Sequence, residues 1–394
     1  MQKRTIEPFL KQLFKQYPVV TLSGPRQSGK TTLCRMAFPH KAYVNLEAPD
    51  ERQFALEDPR GFLNAYQDGA IFDEIQRTPD LLSFLQPLID ENQRPGLFLL
   101  TGSQQFNVLE VLSQSLAGRT GLLTLLPFDW QEIQPYTEPS RVDSLILSGF
   151  YPRLHHMDIH PTQALGDYFE TYVQRDVRQL LQIRHAGTFE KFVRLCAGRV
   201  GQLVNMQSLG NDAGVSHTTA KEWLSILEAS YIIFQLPPWH ANVSKRLIKT
   251  PKLYFWDVGL AAYLLGLEEE KQVSRDPLRG NLFENMVIAE MFKYCYHHGR
   301  RPRLSFYRDS TGNEVDLLVE RGQELAAVEI KSGQTVTRDY FQGLNRFAKV
   351  AGDRLTGGAV VYGGNKRQLR SDWEVWPVAE LNGLASRAFA LFAD

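Results

Sequence analysis

Cysteine is scarce. Three residues in 394, Cys34, Cys196 and Cys295, lie far apart in the chain, which excludes both an even disulfide framework and the close spacing of a zinc site. Net charge is absent as well: 44 Lys and Arg balance 44 Asp and Glu. No chain-wide field attracts or repels nucleic acid, and a charged partner must be met by a local patch. Long hydrophobic runs are also missing, since nothing approaches the roughly 18 consecutive apolar residues of a spanning helix. The opening MQKRTIEPFLKQLFKQY breaks its apolar residues with charge, unlike a secretory signal. A soluble cytoplasmic protein with no membrane partner is expected. The pairs His155-His156 and His297-His298 have no Cys or carboxylate at ligand spacing and are expected on the surface, with no structural metal. At 43% hydrophobic and 22% charged the chain suits packed globular structure, and its length calls for two or three domains.

Residues 5 to 17 place Ile6, Phe9, Leu10, Leu13 and Phe14 at helical spacing before Pro18. Val19 to Ser23 then predicts a strand, and Thr32 to Phe38 a helix. Between them run Gly24, Pro25, Arg26, Gln27, Ser28, Gly29, Lys30 and Thr31, followed by Thr32. This is GxxxxGK(S/T) in strand-to-helix context, a phosphate-binding loop. Glycines let backbone N–H groups curl around phosphate oxygens, the helix N-terminus adds partial positive charge, Lys30 reaches the terminal phosphates, and Thr31 can ligate magnesium. ATP and Mg2+ are the implied ligands.

Such a loop needs an acid at the end of a buried strand. GAIFDEIQ, residues 69–76, supplies Ala70, Ile71 and Phe72 running into Asp73 and Glu74. Asp73 would hold magnesium through water and Glu74 would be the general base. Gly96 to Leu100 predicts a further strand leading to Thr101, Gly102, Ser103, Gln104 and Gln105, where a polar tip could sense the γ-phosphate. Val108 to Ala117 predicts a helix and Thr120 to Leu126 a last strand. With Ala42 to Leu46 this makes five strands at α/β spacing, a doubly wound sheet with its ligand at the strand C-termini.

The order GPRQSGKTTL, YVNLEAPD, GAIFDEIQ, LFLLTGSQQ and LAGRTGLLTLLPF resembles the AAA+ ATPase core of a prokaryotic family whose C-terminal half carries a restriction-endonuclease-like domain. The resemblance implies that Ser103 or Gln104 is the sensor and that Arg119 is an arginine finger completing a neighbour's site, hence a homo-oligomer or ring. An Arg capping a helix C-terminus is the alternative for Arg119.

Residues 141 to 200 read as mostly helical, with Tyr168, Tyr172, Val173, Val177, Leu180 and Leu181 along one face. This is the expected place of a lid, with Arg153, Arg175 and Arg178 as candidate second sensors. From Asn205 the pattern becomes helix, turn, helix and strand, which is winged-helix order, with Ser216 as N-cap and Ala220, Trp223, Leu224 and Leu227 inside. His217, Thr218, Thr219 and Lys221 would face a DNA groove if this element reads DNA.

Further on, Leu282 to Met291 marks a helix carrying Glu284. Glu314 to Val319 and Leu325 to Lys331 read as a hairpin about Gly322 that brings Asp316 opposite Val328 and Glu329. Glu329 and Lys331, two apart, point to one face. Asp-x12-Glu-x-Lys resembles the PD-(D/E)xK nuclease motif, with Val315 where proline is usual and Glu284 at the helical acid position. The resemblance implies that Asp316 and Glu329 bind magnesium and that Lys331 orients or deprotonates water. Lys293, Arg300, Arg301, Arg303 and Arg308, and a second cluster of Lys245, Arg246, Lys249 and Lys252, are expected as basic surfaces flanking the acids, suited to a DNA backbone.

The expected fold is therefore α/β: a P-loop AAA+ parallel-sheet core over 1–135, a helical lid and winged helix over 136–245, and an α/β restriction-endonuclease-like domain over 246–394. Two functions stay open. One is an ATP-hydrolysing machine that remodels, translocates or processes DNA held or cut by the last domain. The other is a nucleotide-dependent switch or scaffold whose last domain only binds nucleic acid or a protein.

Overall fold

A computed structural model describes residues 3–92, 94–103, 116–138, 141–157, 159–177, 186–240, 250–370 and 372–393. Gln104, Gln105, Arg178, Leu180, Leu181, Lys245, Arg246, Lys249 and most of the helix expected over Val108–Ala117 lie outside the described residues, as does the side chain of Arg175. The chain divides into two units. The first holds Met1–Phe128, Ala229–Tyr231 and Cys295–Arg300, and the second holds the rest.

The first unit begins with α1 (Glu7–Phe14), which is opened by Pro8 and buries Leu10 and Phe14. Strands β1 (Val19–Ser23), β2 (Ala42–Asn45), β3 (Ala70–Asp73), β4 (Phe98–Gly102) and β5 (Thr120–Thr124) form one sheet in the order β2-β3-β4-β1-β5. Every pairing is parallel. Helices α2 (Lys30–Ala37), α3 (Pro49–Glu57), α4 (Pro59–Asn64) and α5 (Leu81–Glu91) connect the strands. Near-continuous apolar strands such as VVTL and AIF are what a sheet buried on both faces requires. β4 starts two residues later than its apolar run, because the N–H groups of Gly96 and Leu97 bond to the carbonyls of Tyr17 and Pro18. β1 lies between β4 and β5, so its C-terminal end is the crevice where a doubly wound sheet binds ligands.

The second unit opens with α6 (Trp130–Ile133), whose capping box pairs Asp129 with Glu132. Then follow α7 (Val142–Ser148), α8 (Pro152–His156), α9 (Pro161–Tyr168), a π-helical segment Phe169–Val177, and α10 (Ala186–Ala197). Helices α11 (Met206–Ala213) and α12 (His217–Ala229) are joined by a turn through Gly214, at φ 81°. Ser216 Oγ accepts the Thr219 N–H at 3.1 Å, the expected N-cap. Trp223 meets Phe189 and Phe192 edge-on beneath α12. An antiparallel pair follows, β6 (Ile233–Leu236) with β7 (Lys252–Phe255).

After α13 (Val258–Leu264) and α14 (Glu270–Arg275), α15 runs from Arg279 to His297. The last sheet contains β8 (Leu304–Arg308), β9 (Glu314–Arg321), β10 (Glu324–Lys331), β11 (Leu355–Tyr362), β12 (Gln368–Arg370) and β13 (Trp373–Pro377) in the order β12-β13-β11-β10-β9-β8. Gly322, at φ 66°, turns the β9–β10 hairpin, and the register Leu317↔Val328 makes Asp316 and Glu329 the next pair along it. α16 (Gln342–Ala351) crosses between the parallel strands β10 and β11, burying Leu344 and Phe347 against Val315, Leu318 and Val360. α17 (Leu381–Phe389) ends the chain's regular structure.

Candidate functional site

The phosphate loop follows β1 directly. Gly24 has φ 146°, and a Cβ there would sit 2.0 Å from the Leu125 carbonyl oxygen, so no other residue fits. Gly29, at φ 91°, opens α2. Lys30 is buried, and its ammonium donates to the carbonyls of Gly24 (2.9 Å) and Pro25 (2.8 Å), folding back on its own loop. Burial pulls its pKa down, against the pull of Glu74 and Asp73. Ser28 is wholly buried and its hydroxyl has no partner. Arg26 reaches Glu47 at 3.4 Å, while Gln27 takes the left-handed conformation and Thr32 is exposed. A feature that motif reading missed lies beneath: the guanidinium of Arg4 donates to the carbonyls of Ser28 (2.6 Å) and Leu126 (2.8 Å) and ties the loop to the chain leaving β5.

At the end of β3, Asp73 is buried and caged by hydroxyls. Thr31 Oγ1 and Tyr43 OH donate to Oδ2 at 2.8 and 2.7 Å, and Thr101 Oγ1 donates to Oδ1. Burial, followed by this hydrogen bond, pushes the Tyr43 phenol up, so it stays a donor. A hydroxyl and a carboxylate side by side, both hard oxygen donors, fit Mg2+. Glu74 holds left-handed backbone at φ 59°, a strained state for a non-glycine residue. Its Oε2 accepts from Gln76 Nε2 and, at 3.3 Å, from Ser103 Oγ. The structure therefore brings Lys30, Thr31, Asp73, Glu74 and Ser103 together. Arg119 stands apart in a bidentate pair with Asp90, Nε to Oδ1 at 2.5 Å and Nη2 to Oδ2 at 3.0 Å.

The second site lies in the second unit. Asp316 Oδ2 accepts the Ile330 N–H at 2.8 Å and faces Lys331 Nζ at 3.5 Å. Lys331 also pairs with Glu329 Oε1 at 2.6 Å, as the two-residue strand period predicts. The other carboxylate oxygen, Oε2 of Glu329, is buried without a partner. Burial pushes the Glu284 and Glu329 carboxyls well above the usual carboxylate range. It works against the charge of Lys331 too, but Asp316 and Glu329 outweigh it and raise that pKa. An orphaned buried carboxylate oxygen beside a second acid is a donor set that suits a divalent ion.

Two residues here were invisible to motif reading. Lys252 was expected in a solvated basic cluster, but it is 3% exposed and pairs with Glu284 (2.9 Å) and Glu314. Tyr254 OH also donates to Glu284, at 2.5 Å. The signal available was alternation in KLYF, which sends Lys252 and Tyr254 to one side of β7.

Two further expectations are corrected. Lys293 is not on a basic surface: it is 1% exposed, bonded to Glu290 at 2.6 Å and set over the Phe150 ring. It lies on a helix buried nearly all round, where a cation needs a carboxylate partner. His297 is likewise buried, and its Nε2 accepts the Leu126 N–H at 3.3 Å. Arg300, Arg301, Arg303 and Arg308 are exposed, as are His217, Thr218 and Lys221 at the start of α12, with Thr219 half-buried. No helix among the described residues is long and apolar enough to cross a membrane.

Family models match three segments: an AAA domain over residues 16–134, and two domains of unknown function, DUF8612 over 140–271 and DUF4143 over 279–381. An uncharacterized protein of Mycobacterium tuberculosis is 30% identical over 338 residues, covering 85% of this chain and 75% of the relative, and one of Mycobacterium bovis matches equally. An uncharacterized protein of Methanocaldococcus jannaschii is 21% identical over 382 residues, covering 83% and 78%. Among solved structures, the Walker-type ATPase of Pyrococcus abyssi is 14% identical with a TM-score of 0.46, covering 66% of this chain and 94% of that one. AMPPCP-bound DnaA from Aquifex aeolicus is 14% identical with a TM-score of 0.30, covering 57% and 85%.

Proposed function

The chain belongs to the family of these mycobacterial proteins and carries an AAA-type ATPase domain, and from that premise we propose that it couples hydrolysis of MgATP to work on DNA held by its C-terminal nuclease-like domain. The observation that carries the ATPase half is the 2.8 Å contact of Thr31 with Asp73 beside the phosphate loop. Nucleotide phosphates draw Lys30 off the loop carbonyls, and the loop N–H groups take the phosphate oxygens. Thr31 and Asp73 would hold Mg2+, which would supply positive charge against the charge developing on the phosphate oxygens. Glu74, freed from Gln76, orients the attacking water and accepts its proton as the γ-phosphorus leaves the bridging oxygen, while Ser103 senses the γ-phosphate. Arg119 leaves Asp90 to reach the γ-phosphate of a neighbouring subunit in a homo-oligomer.

In the C-terminal domain Asp316 and Glu329 would hold a divalent ion, which would polarise a phosphodiester, and Lys331 would position water against it. The exposed arginines from Arg300 to Arg308 meet the DNA backbone, and the exposed N-terminus of α12, with Lys221, is the winged-helix contact. Neutral overall charge is compatible with this, since binding needs only local patches.

The test is the ATPase rate of the full chain with linear, nicked, forked and four-way DNA. We expect stimulation by one structure, no hydrolysis by Lys30→Ala, and an unchanged melting temperature in that variant. Normal hydrolysis by Lys30→Ala would refute the phosphate-loop assignment. A rate indifferent to every DNA would leave the switch or scaffold reading in its place.

A further inference from the structure

α12 ends in a backbone closure: the N–H of Ile232 bonds to the carbonyl of Leu227, five residues earlier, at 2.9 Å. The residue before that donor, Tyr231, has left-handed backbone at φ 56°. Glycine is the usual occupant of this position, because an L side chain is strained there. The same closure ends α11, α13 and α15 on Gly214, Gly266 and Gly299, and α17 on Leu391, which buries an apolar chain. Tyr231 is a bulky polar residue at a glycine position, and strain of this kind persists only where the surroundings enforce it.

What enforces it lies at the other end of the side chain. Tyr231 is 2% exposed, and its hydroxyl sits 2.8 Å from Ser23 Oγ. Ser23 closes β1 and directly precedes Gly24 of the phosphate loop. Its own proton goes to the Leu123 carbonyl at 3.1 Å, so the phenol donates and Ser23 accepts. The same stretch of chain backs the loop. The Leu125 N–H donates to the Ser23 carbonyl at 2.8 Å, and the Leu125 carbonyl oxygen is the atom that a Cβ on Gly24 would strike. Tyr231 thus fastens the root of the phosphate loop from 208 residues further along the chain. Both residues lie in the first unit, which the chain enters at Ala229 and leaves after Tyr231.

We propose that Tyr231 is a positioning residue of the nucleotide site and the joint through which that site and α12 act on each other. The proposal rests on the ATPase reading and adds a regulatory path to it. Nucleotide seated in the loop fixes Gly24 and Ser23, Ser23 holds the phenol, and the phenol holds the left-handed residue that closes α12. The far end of α12 carries the exposed His217, Thr218 and Lys221. Coupling between two sites is reciprocal, so DNA that steadies α12 changes nucleotide affinity by the factor with which nucleotide changes α12. Phenylalanine at 231 would keep the ring and leave the left-handed residue with no bond to Ser23.

The experiment is amide hydrogen exchange over residues 226–232 of the full chain, with and without Mg2+ and AMPPCP at a concentration saturating for each variant. Calorimetry gives the affinity for the same nucleotide. The proteins are the parent, Tyr231→Phe, Ser23→Ala and the double variant. In the parent, nucleotide should slow exchange at the end of α12 by about fivefold or more. Each single variant should lose that protection and bind nucleotide about two- to tenfold more weakly. The double variant should be no weaker than Ser23→Ala, because the phenol has then lost nothing further. Ser23→Ala keeps the Tyr231 ring in place and tests the joint even where Tyr231→Phe lowers stability. Protection kept in both single variants, or a double variant weakened by the product of the two, would overturn the joint and leave Tyr231 as a helix cap. Nucleotide that binds the parent without slowing exchange in α12 would overturn this inference alone, while no binding at all would overturn the phosphate-loop reading beneath it.

Discussion

Two buried acidic sites sit in one chain and solve the same electrostatic problem in opposite ways. Asp73 is held by three neutral hydroxyls, from Thr31, Tyr43 and Thr101. The cation of that site, Lys30, turns away to backbone carbonyls. Glu284, Glu314, Asp316 and Glu329 are instead held by lysines. Hydroxyl cages stabilise a carboxylate without cancelling its charge, so an incoming Mg2+ meets an undiminished anion. Ammonium groups cancel the charge in advance, and the cancellation is incomplete at Glu329 Oε2, which has no partner. The first site leaves its carboxylate charge uncancelled, while the second cancels most of it in place.

The sharpest way to break this contrast is to remove each lysine and measure stability. Lys252→Met leaves Glu284 buried with only Tyr254, and breaking a buried pair from one side costs about 3–5 kcal/mol. Chemical denaturation should show that loss, and Lys252→Met with Glu284→Gln should recover most of it. Lys30→Met should cost less, about 1.5–3 kcal/mol, because it strands the loop carbonyls of Gly24 and Pro25 but leaves no carboxylate that was paired to it. Equal losses at both positions would show that the two sites are not held differently.

Arg4 gives an effect of similar size. Its guanidinium links the carbonyls of Ser28 and Leu126, so Arg4→Met strands buried acceptors that pin the phosphate loop. Losing such bonds costs about 1.5–3 kcal/mol, and part of that should appear as an approximately tenfold rise in KM for ATP with a smaller fall in kcat. A fall in kcat alone would place Arg4 outside nucleotide binding.

What was legible in the chain follows the range of the signals. The phosphate loop and the Asp73-Glu74 pair are contiguous words whose chemistry fixes their spacing, and Lys30, Thr31, Asp73 and Glu74 converge as read. Glu329 and Lys331 converge through the strand period, and Asp316 through a short hairpin. Lys252 and Tyr254 were missed because two helices, α13 and α14, separate their strand from Glu284 on α15, and a lysine in KLYF reads as solvated until its carboxylates are seen. Lys293 misled for the same reason. A cation on an otherwise apolar helix looks like surface until Glu290, one turn earlier, is found buried beside it. Arg4 belongs to no motif, and only the return of the chain after β5 brings it under the loop.

The smallest effect tests the hydroxyl cage itself. Tyr43→Phe removes one donor from Asp73 Oδ2 but leaves Thr31 on the same oxygen and Thr101 on the other. A single hydrogen bond of this kind contributes about 0.5–1.5 kcal/mol, so a two- to tenfold change is the ceiling. If the cage serves to aim the carboxylate at Mg2+, the loss should fall on kcat, with the Mg2+ concentration giving half-maximal rate shifted upward and KM for ATP unchanged. If Tyr43 only packs, Phe retains the ring and both quantities should stay at the parent value while Thr101→Val, which removes a donor on the other oxygen, still lowers kcat.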